Sequence, residues 1–211
     1  MNETLARVAA LGVVPVVEID NAADAVPLAR TLVAAGLPVI ELTLRTATAM
    51  EALAKVAAEV PEILVGAGTV LNIQSLERAI AAGASFGVSP GLSPVAKAAA
   101  ERGLPFIPGA VTPSEVIGAL DLGLNHIKFF PAGAYGGLAT LKALGGPFRV
   151  AGVQFMPTGG IKADTAADYL ASDLVFAVGG TWVAPRADIA AHNWDAIAER
   201  AAAAAALRAA R

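Results

Sequence analysis

The chain has 211 residues, 56% hydrophobic and 16% charged, with a formal net charge of −3. A chain of this length buries a sizeable core, while the lack of cysteine excludes disulfides, thiolate metal sites and cysteine nucleophiles, and two histidines are too few for a histidine-rich metal centre. No basic run interleaved with aromatics points to nucleic acid, no apolar run nears the ~20 residues that span a bilayer, and Met1-Asn2-Glu3-Thr4 lacks the start of a signal peptide, so a cytoplasmic protein is expected.

Short apolar stretches alternate with alanine-rich ones. Predicted strands run Val13–Val17, Val39–Thr43, Ile63–Gly66, Phe86–Ser89, Pro105–Pro108, His126–Phe130, Val153–Pro157 and Leu174–Val178. Helical stretches lie between them. Ala22–Ala35, for instance, has Asn21 as N-cap and Asp24 three residues on. Helices end on Gly36, Gly83, Gly103 and Gly123, and a strand follows each at once. Glycine suits the left-handed position just past a helix. The alternation implies a parallel sheet covered by helices. Eight units of about 26 residues fit a small (β/α)8 TIM barrel, here with an N-terminal helix; a doubly wound open sheet is the alternative. No linker divides the chain, so one domain over residues 1–211 is expected. The alanine-rich tail, residues 201–208, reads as the end of the last helix.

In the second strand, Ile40, Leu42 and Leu44 share one parity, while Glu41 and Thr43 share the other, which Arg45 continues into the loop. Glu41 could move protons and Arg45 could bind a carboxylate through its planar fork. A structural ion pair is the plainer alternative. Gly66-Ala67-Gly68 reads as a turn after the third strand. It opens like a dinucleotide fingerprint, but Leu71 stands where the third glycine belongs, so that reading is discarded.

In His126-Ile127-Lys128-Phe129-Phe130-Pro131, Ile127 and Phe129 face the helices, and Lys128 and Phe130 face the interior. Lys55, Lys97, Lys142 and Lys162 fall in helical or loop stretches, which leaves Lys128 as the strand lysine. Taking a charge out of water is costly, and a neutral amine in an apolar strand mouth can attack a ketone to form an imine. The alternative is a strand-mouth lysine paired with a carboxylate. His126 lies deeper and reads as structural; His192 reads as surface, Trp182 as packing, and Asp164 and Asp168 as helix-surface acids. Pro157-Thr158-Gly159-Gly160 and Gly179-Gly180-Thr181-Trp182 follow the seventh and eighth strands, where barrels of this kind recurrently bind phosphate.

Six segments recur in the order and spacing of one family: Glu41-Leu42-Thr43-Leu44-Arg45-Thr46, Gly66-Ala67-Gly68-Thr69-Val70, Ser89-Pro90-Gly91, Lys128-Phe129-Phe130-Pro131-Ala132, Pro157-Thr158-Gly159-Gly160 and Gly179-Gly180-Thr181-Trp182. From about Val13 to Pro185 the chain resembles the 2-keto-3-deoxy-6-phosphogluconate (KDPG) and 4-hydroxy-2-oxoglutarate aldolases. The resemblance implies a homotrimeric lyase that makes pyruvate and glyceraldehyde 3-phosphate from a phosphorylated 2-keto-3-deoxy sugar acid. It implies Lys128 as the imine-forming nucleophile and Glu41 as the proton shuttle. Arg45 and Thr69, with Thr158 nearby, would hold the pyruvyl carboxylate end; Pro90 and Phe130 would shape the pocket; Gly159, Gly160, Gly180 and Thr181 would bind phosphate. No metal or other cofactor is implied, since a protonated imine is itself the electron sink. The chain departs from the family at Thr181, where serine is expected, and at Gly133, where an acid is expected.

Three competing readings stand beside this one. A sugar-phosphate isomerase or epimerase would explain the glycine turns but not Lys128 beside Glu41 and Arg45. The 2-keto-3-deoxy-6-phosphogalactonate aldolase differs in substrate stereochemistry at one carbon. A trimeric barrel could also serve as a scaffold or assembly component.

Overall fold

The computed structural model describes residues 2–209 and is an α/β fold built on parallel strands. The strands are β1 (Val13–Val17), β2 (Val39–Thr43), β3 (Leu64–Gly68), β4 (Phe86–Val88), β5 (Phe106–Ile107), β6 (His126–Phe129), β7 (Gln154–Pro157) and β8 (Val178–Gly180). The helices are α1 (Glu3–Leu11), α2 (Ala25–Ala34), α3 (Ala49–Glu59), α4 (Ile73–Ala81), α5 (Pro94–Glu101), α6 (Pro113–Asp121), α7 (Gly137–Gly145), α8 (Ala163–Leu170), α9 (Arg186–Ala190) and α10 (Trp194–Ala209). Among the described residues, no helix is long and apolar enough to cross a membrane.

Six strands form one sheet in the order β5-β4-β3-β2-β1-β8, and β6 pairs with β7. Single parallel bridges link the two groups: Gly109 with Lys128 on one side, and Phe155 with Val175 and Thr158 with Gly179 on the other. At the first of these seams the Lys128 N–H donates to Pro108 O at 2.8 Å, and the Lys128 carbonyl accepts from the Ala110 N–H at 2.9 Å.

Local chemistry explains the punctuation. Asn21 caps by accepting from the Ala23 N–H, but residues 22–24 form a 3-10 turn and α2 starts only at Ala25. Asp24 does not reach back to the cap; it meets His192 Nε2 at 2.9 Å. Gly36, Gly83, Gly103 and Gly123 all have φ between 71° and 89°, the left-handed conformation expected of them. At α6, Thr112 and Glu115 form a reciprocal capping box. Aliphatic and alanine side chains from both strands and helices make one continuous buried cluster.

Two strand expectations need correction. The last strand is Val178–Gly180, not Leu174–Val178, because the pairing with β1 sets Val13 against Val178 and Pro15 against Gly180. Likewise β3 runs to Gly68, its glycines paired with Glu41 and Thr43 of β2. Gly66–Gly68 and Gly179–Gly180 are therefore strand residues, not turns. Glycine is needed there for close approach: a Cβ at Gly66 would stand 2.3 Å from the Phe86 ring, and one at Gly179 would stand 2.4 Å from Thr158 Oγ1.

Candidate active site

Lys128 and Glu41 come from strands of the two separate sheets, 87 residues apart in sequence, yet Lys128 Nζ donates to Glu41 Oε1 at 3.1 Å. Glu41 is fully buried and Lys128 is only 6% exposed. The alternation along each strand makes this meeting possible, because both residues have the parity opposite to their helix-facing neighbours. Taking such a pair out of water is costly unless both ions are well bonded. Among the described residues, the second carboxylate oxygen, Oε2, is buried without a hydrogen-bond partner. The site thus holds an ion pair together with one unused acceptor.

The Lys128 amine opens into a cavity of about 340 Å³ that Arg45, Thr69, Pro90, Phe130, Thr158, Gly159, Gly160, Gly180 and Thr181 also line. Every site residue expected from the family resemblance except Glu41 is on this wall; Glu41 is fully buried beside Lys128. The sequence reading gave no role to Val16, Thr43 and Ile161, which complete the lining. Their signal was only position, since each lies at or just past the carboxyl end of a strand.

Backbone conformation shapes the wall. Thr69 follows β3 with φ 59°, unusual for a residue with a Cβ, and such a conformation costs of order 1–3 kcal/mol. Its surroundings hold it: the next N–H, that of Val70, donates to Val88 O at 3.0 Å. Gly159 and Gly160 are left-handed in succession, with φ 87° and 81°. The chain after β6 is laced to them, with the Ala132 N–H donating to Thr158 O at 2.8 Å and the Gly133 N–H to Gly159 O at 2.9 Å. Gly133 therefore lies directly beside the glycine turn. Thr181 is exposed at the cavity mouth, just beyond the end of β8. Lys128 Nζ lies 5.3 Å from the centroid of the Phe130 ring, within cation–π range.

Arg45 reaches the cavity from the loop after β2 and pairs with Glu18 at 2.6 Å, not with Glu41. The Glu41–Arg45 ion pair weighed as the alternative is thus not formed; Arg45 pairs instead with a carboxylate that the sequence reading passed over. Its signal was modest: an acid one residue past an apolar strand.

The remaining candidates lie elsewhere. His126 is buried, its Nδ1 2.8 Å from Asn125 Oδ1 and its ring edge-on to Phe176. Burial pushes its pKa below the ordinary histidine value, with nearby positive charge acting the same way. His192 stacks on Trp194. Asp164 and Asp168 are exposed on α8. Among the described residues there is no cluster of three or more metal-ligating His, Asp or Glu side chains.

Known proteins resemble this chain along most of its length. The family described as KDPG and KHG aldolase matches residues 5–200. A 2-dehydro-3-deoxy-phosphogluconate aldolase of Dickeya dadantii is 49% identical over 88% of this chain and 86% of its own length. The structure of KDPG aldolase from Legionella pneumophila, with pyruvate captured as a covalent carbinolamine, superposes with a TM-score of 0.91 at 42% identity, covering 96% of this chain and 98% of that one. That of the Zymomonas mobilis enzyme with 3-phosphoglycerate gives 0.88 at 43%, covering 96% and 95%.

Proposed function

We propose, from the premise that this chain belongs to the KDPG and KHG aldolase family, that its buried Lys128–Glu41 pair carries the chemistry of a class I aldolase. The enzyme is a carbon–carbon lyase of the KDPG type, cleaving 2-keto-3-deoxy-6-phosphogluconate to pyruvate and glyceraldehyde 3-phosphate. Activity on 4-hydroxy-2-oxoglutarate is part of the proposal. The single observation that carries the assignment of roles is the 3.1 Å contact of Lys128, which lines the cavity, with the fully buried Glu41 carboxylate.

The chemistry follows from charge. Glu41, beside the amine, takes up the proton that Lys128 must lose before it attacks the C2 ketone. Glu41 returns that proton to the C2 hydroxyl of the resulting carbinolamine, which leaves as water to give a protonated imine and a free carboxylate. The C3–C4 bond then breaks heterolytically, its electrons flowing into the iminium to give an enamine, as the C4 hydroxyl proton passes to Glu41. The same carboxyl returns a proton to C3, and water releases pyruvate from Lys128. Arg45 and Thr69, with Thr158 beside them, are assigned to the pyruvyl carboxylate end. The Gly159-Gly160 turn and the Gly180-Thr181 segment are assigned to the phosphate, where a small backbone lets amides approach an anion. Pro90 and Phe130 shape the apolar side.

Around the site, the eight strands are read as one closed (β/α)8 barrel in a single domain over residues 1–211, of which residues 1, 210 and 211 lie outside the described structure. The single bridges across the two seams support closure. A cytoplasmic homotrimer is proposed from the family resemblance; light scattering should give three times the chain mass.

Borohydride reduction in the presence of pyruvate, followed by peptide mapping, tests the nucleophile. The adduct is expected on the Lys128 peptide and absent from Lys128→Ala. An adduct on Lys97 or Lys142, with Lys128→Ala still active, overturns the assignment.

A further inference from the structure

Two loops at the carboxyl ends of β1 and β2 are stitched together. The Thr43 hydroxyl donates to Val17 O at 3.1 Å, and those of Thr46 and Thr48 donate to Ile19 O at 2.6 and 2.7 Å. This stitching fixes the backbone of residues 17–19 against residues 43–48. From the first loop projects Glu18, and from the second Arg45. Glu18 Oε1 lies 2.6 Å from Arg45 Nη1, while Glu18 Oε2 lies 3.3 Å from Arg186 Nη1. Arg186, the first residue of α9, is itself held by both oxygens of Asp20, its Nε donating to Oδ2 at 2.6 Å. The chain of contacts therefore runs Asp20–Arg186–Glu18–Arg45 and ends in the cavity that Lys128 opens into.

We propose that Glu18 is a positioning residue for Arg45, holding its guanidinium at the rim of the cavity with part of its fork free for the substrate carboxylate. The inference rests on the assignment of Arg45 to that carboxylate. The Arg45 side chain is 60% exposed, and Glu18, at 25%, is the better anchored of the two. A long arginine in such a place explores many rotamers, and ordering it on binding weakens affinity. Glu18 meets Arg45 as an ion pair at a single nitrogen, Nη1, of a guanidinium that carries five N–H donors in all. Two acids and two arginines in this group cancel in charge. Its contribution is thus direction, not added positive potential. An isolated exposed ion pair contributes little, but here a carboxylate is braced on its far side by a second arginine and stands on a backbone that three hydroxyls hold.

A positioning role predicts a split between KM and kcat. Glu18→Ala should raise KM for the phosphorylated keto acid about three- to ten-fold, the scale of ordering one long side chain on binding, with kcat unchanged within about twofold because Lys128 and Glu41 are untouched. Glu18→Gln, which keeps an acceptor oxygen, should fall between. In an Arg45→Ala background, Glu18→Ala should add nothing further to KM. Far-UV circular dichroism and borohydride trapping at Lys128 confirm that each variant is folded. An unchanged or lowered KM in Glu18→Ala, or additive effects in the double variant, overturns the positioning role while leaving Arg45 where it is assigned. An unchanged KM in Arg45→Ala overturns the assignment of Arg45 and this inference with it.

Discussion

Replacing Gly68 by alanine perturbs the Lys128–Glu41 pair without altering either group. A Cβ built on Gly68 falls 2.3 Å from Glu41 Oε1, 2.8 Å from its Cγ and 2.9 Å from its Cδ, whereas ordinary contact begins near 3.4 Å. The carboxylate must retreat by about 1 Å in a closely packed interior. If it moves off the amine, the 3.1 Å Lys128–Glu41 contact opens to roughly 4 Å, beyond hydrogen-bond range. Misplacement of a reacting group on this scale costs about 10²-fold in rate, and overpacking costs about 1–3 kcal/mol of stability. Two assays separate these effects. Cleavage of the phosphorylated substrate and exchange of the pyruvate methyl protons with deuterium should both slow by about that factor, because both need Glu41 to move a proton. Circular dichroism should still report a folded protein. Cleavage and exchange rates within twofold of the wild type would show that the position of Glu41 does not matter, and the proton-shuttle assignment would go with it.

The other expectations draw on different parts of the molecule. Glu41→Gln keeps the shape of the carboxylate but not its basicity, and should slow turnover by roughly 10²–10⁴-fold while a reduced amount of pyruvate adduct still forms at Lys128; steady-state and trapping assays read both. Gly160→Val places a branched side chain at φ 81°, its Cβ 3.3 Å from Gly133 Cα, and should raise KM for the phosphorylated substrate far more than for its unphosphorylated analogue; equal effects on both would indicate general damage. Exhaustive chelation should leave activity intact because the iminium accepts the electrons, and restoration of lost activity by a divalent ion would contradict this route. His126 has a folded-state pKa below its ordinary 6.5, so the stability it contributes is full above that value and is lost as pH falls from about 6.5 towards the folded pKa. Urea denaturation should show this decline in the wild type and its absence in His126→Leu.

The Lys128–Glu41 pair was legible because alternation along a strand is a local rule: parity alone put Lys128, Glu41 and Thr43 on the inner side, and Arg45 follows that parity into its loop. The helix ends at Gly36, Gly83, Gly103 and Gly123 were legible for the same reason, since a left-handed φ is a property of one residue. What the sequence concealed depends on neighbours far along the chain. Gly66–Gly68 and Gly179–Gly180 resemble turns because glycine favours turns, yet they are strand residues kept small by the Phe86 ring, the Glu41 carboxylate, the Thr158 side chain and the Trp182 ring. The apolar run Leu174–Val178 looks like a strand, but pairing with β1 moved the ladder towards Gly180. Glu18 was passed over because its partner Arg186 lies 168 residues away.

The seam beside β6 gives Lys128, the proposed nucleophile, an unusual place in the mechanics of the fold. The Lys128 peptide supplies both hydrogen bonds of the bridge at Gly109, one through its N–H to Pro108 and one through its carbonyl from Ala110. A breathing motion that parts these strands cannot spare the residue proposed to hold the substrate, since its own backbone makes the bridge. Solvent exchange of the Lys128 amide deuteron therefore clocks the fluctuation that would swing the amine out of line. A covalent adduct on that side chain, wedged against the cavity wall, should slow the exchange at this one amide more than at its neighbours in β7.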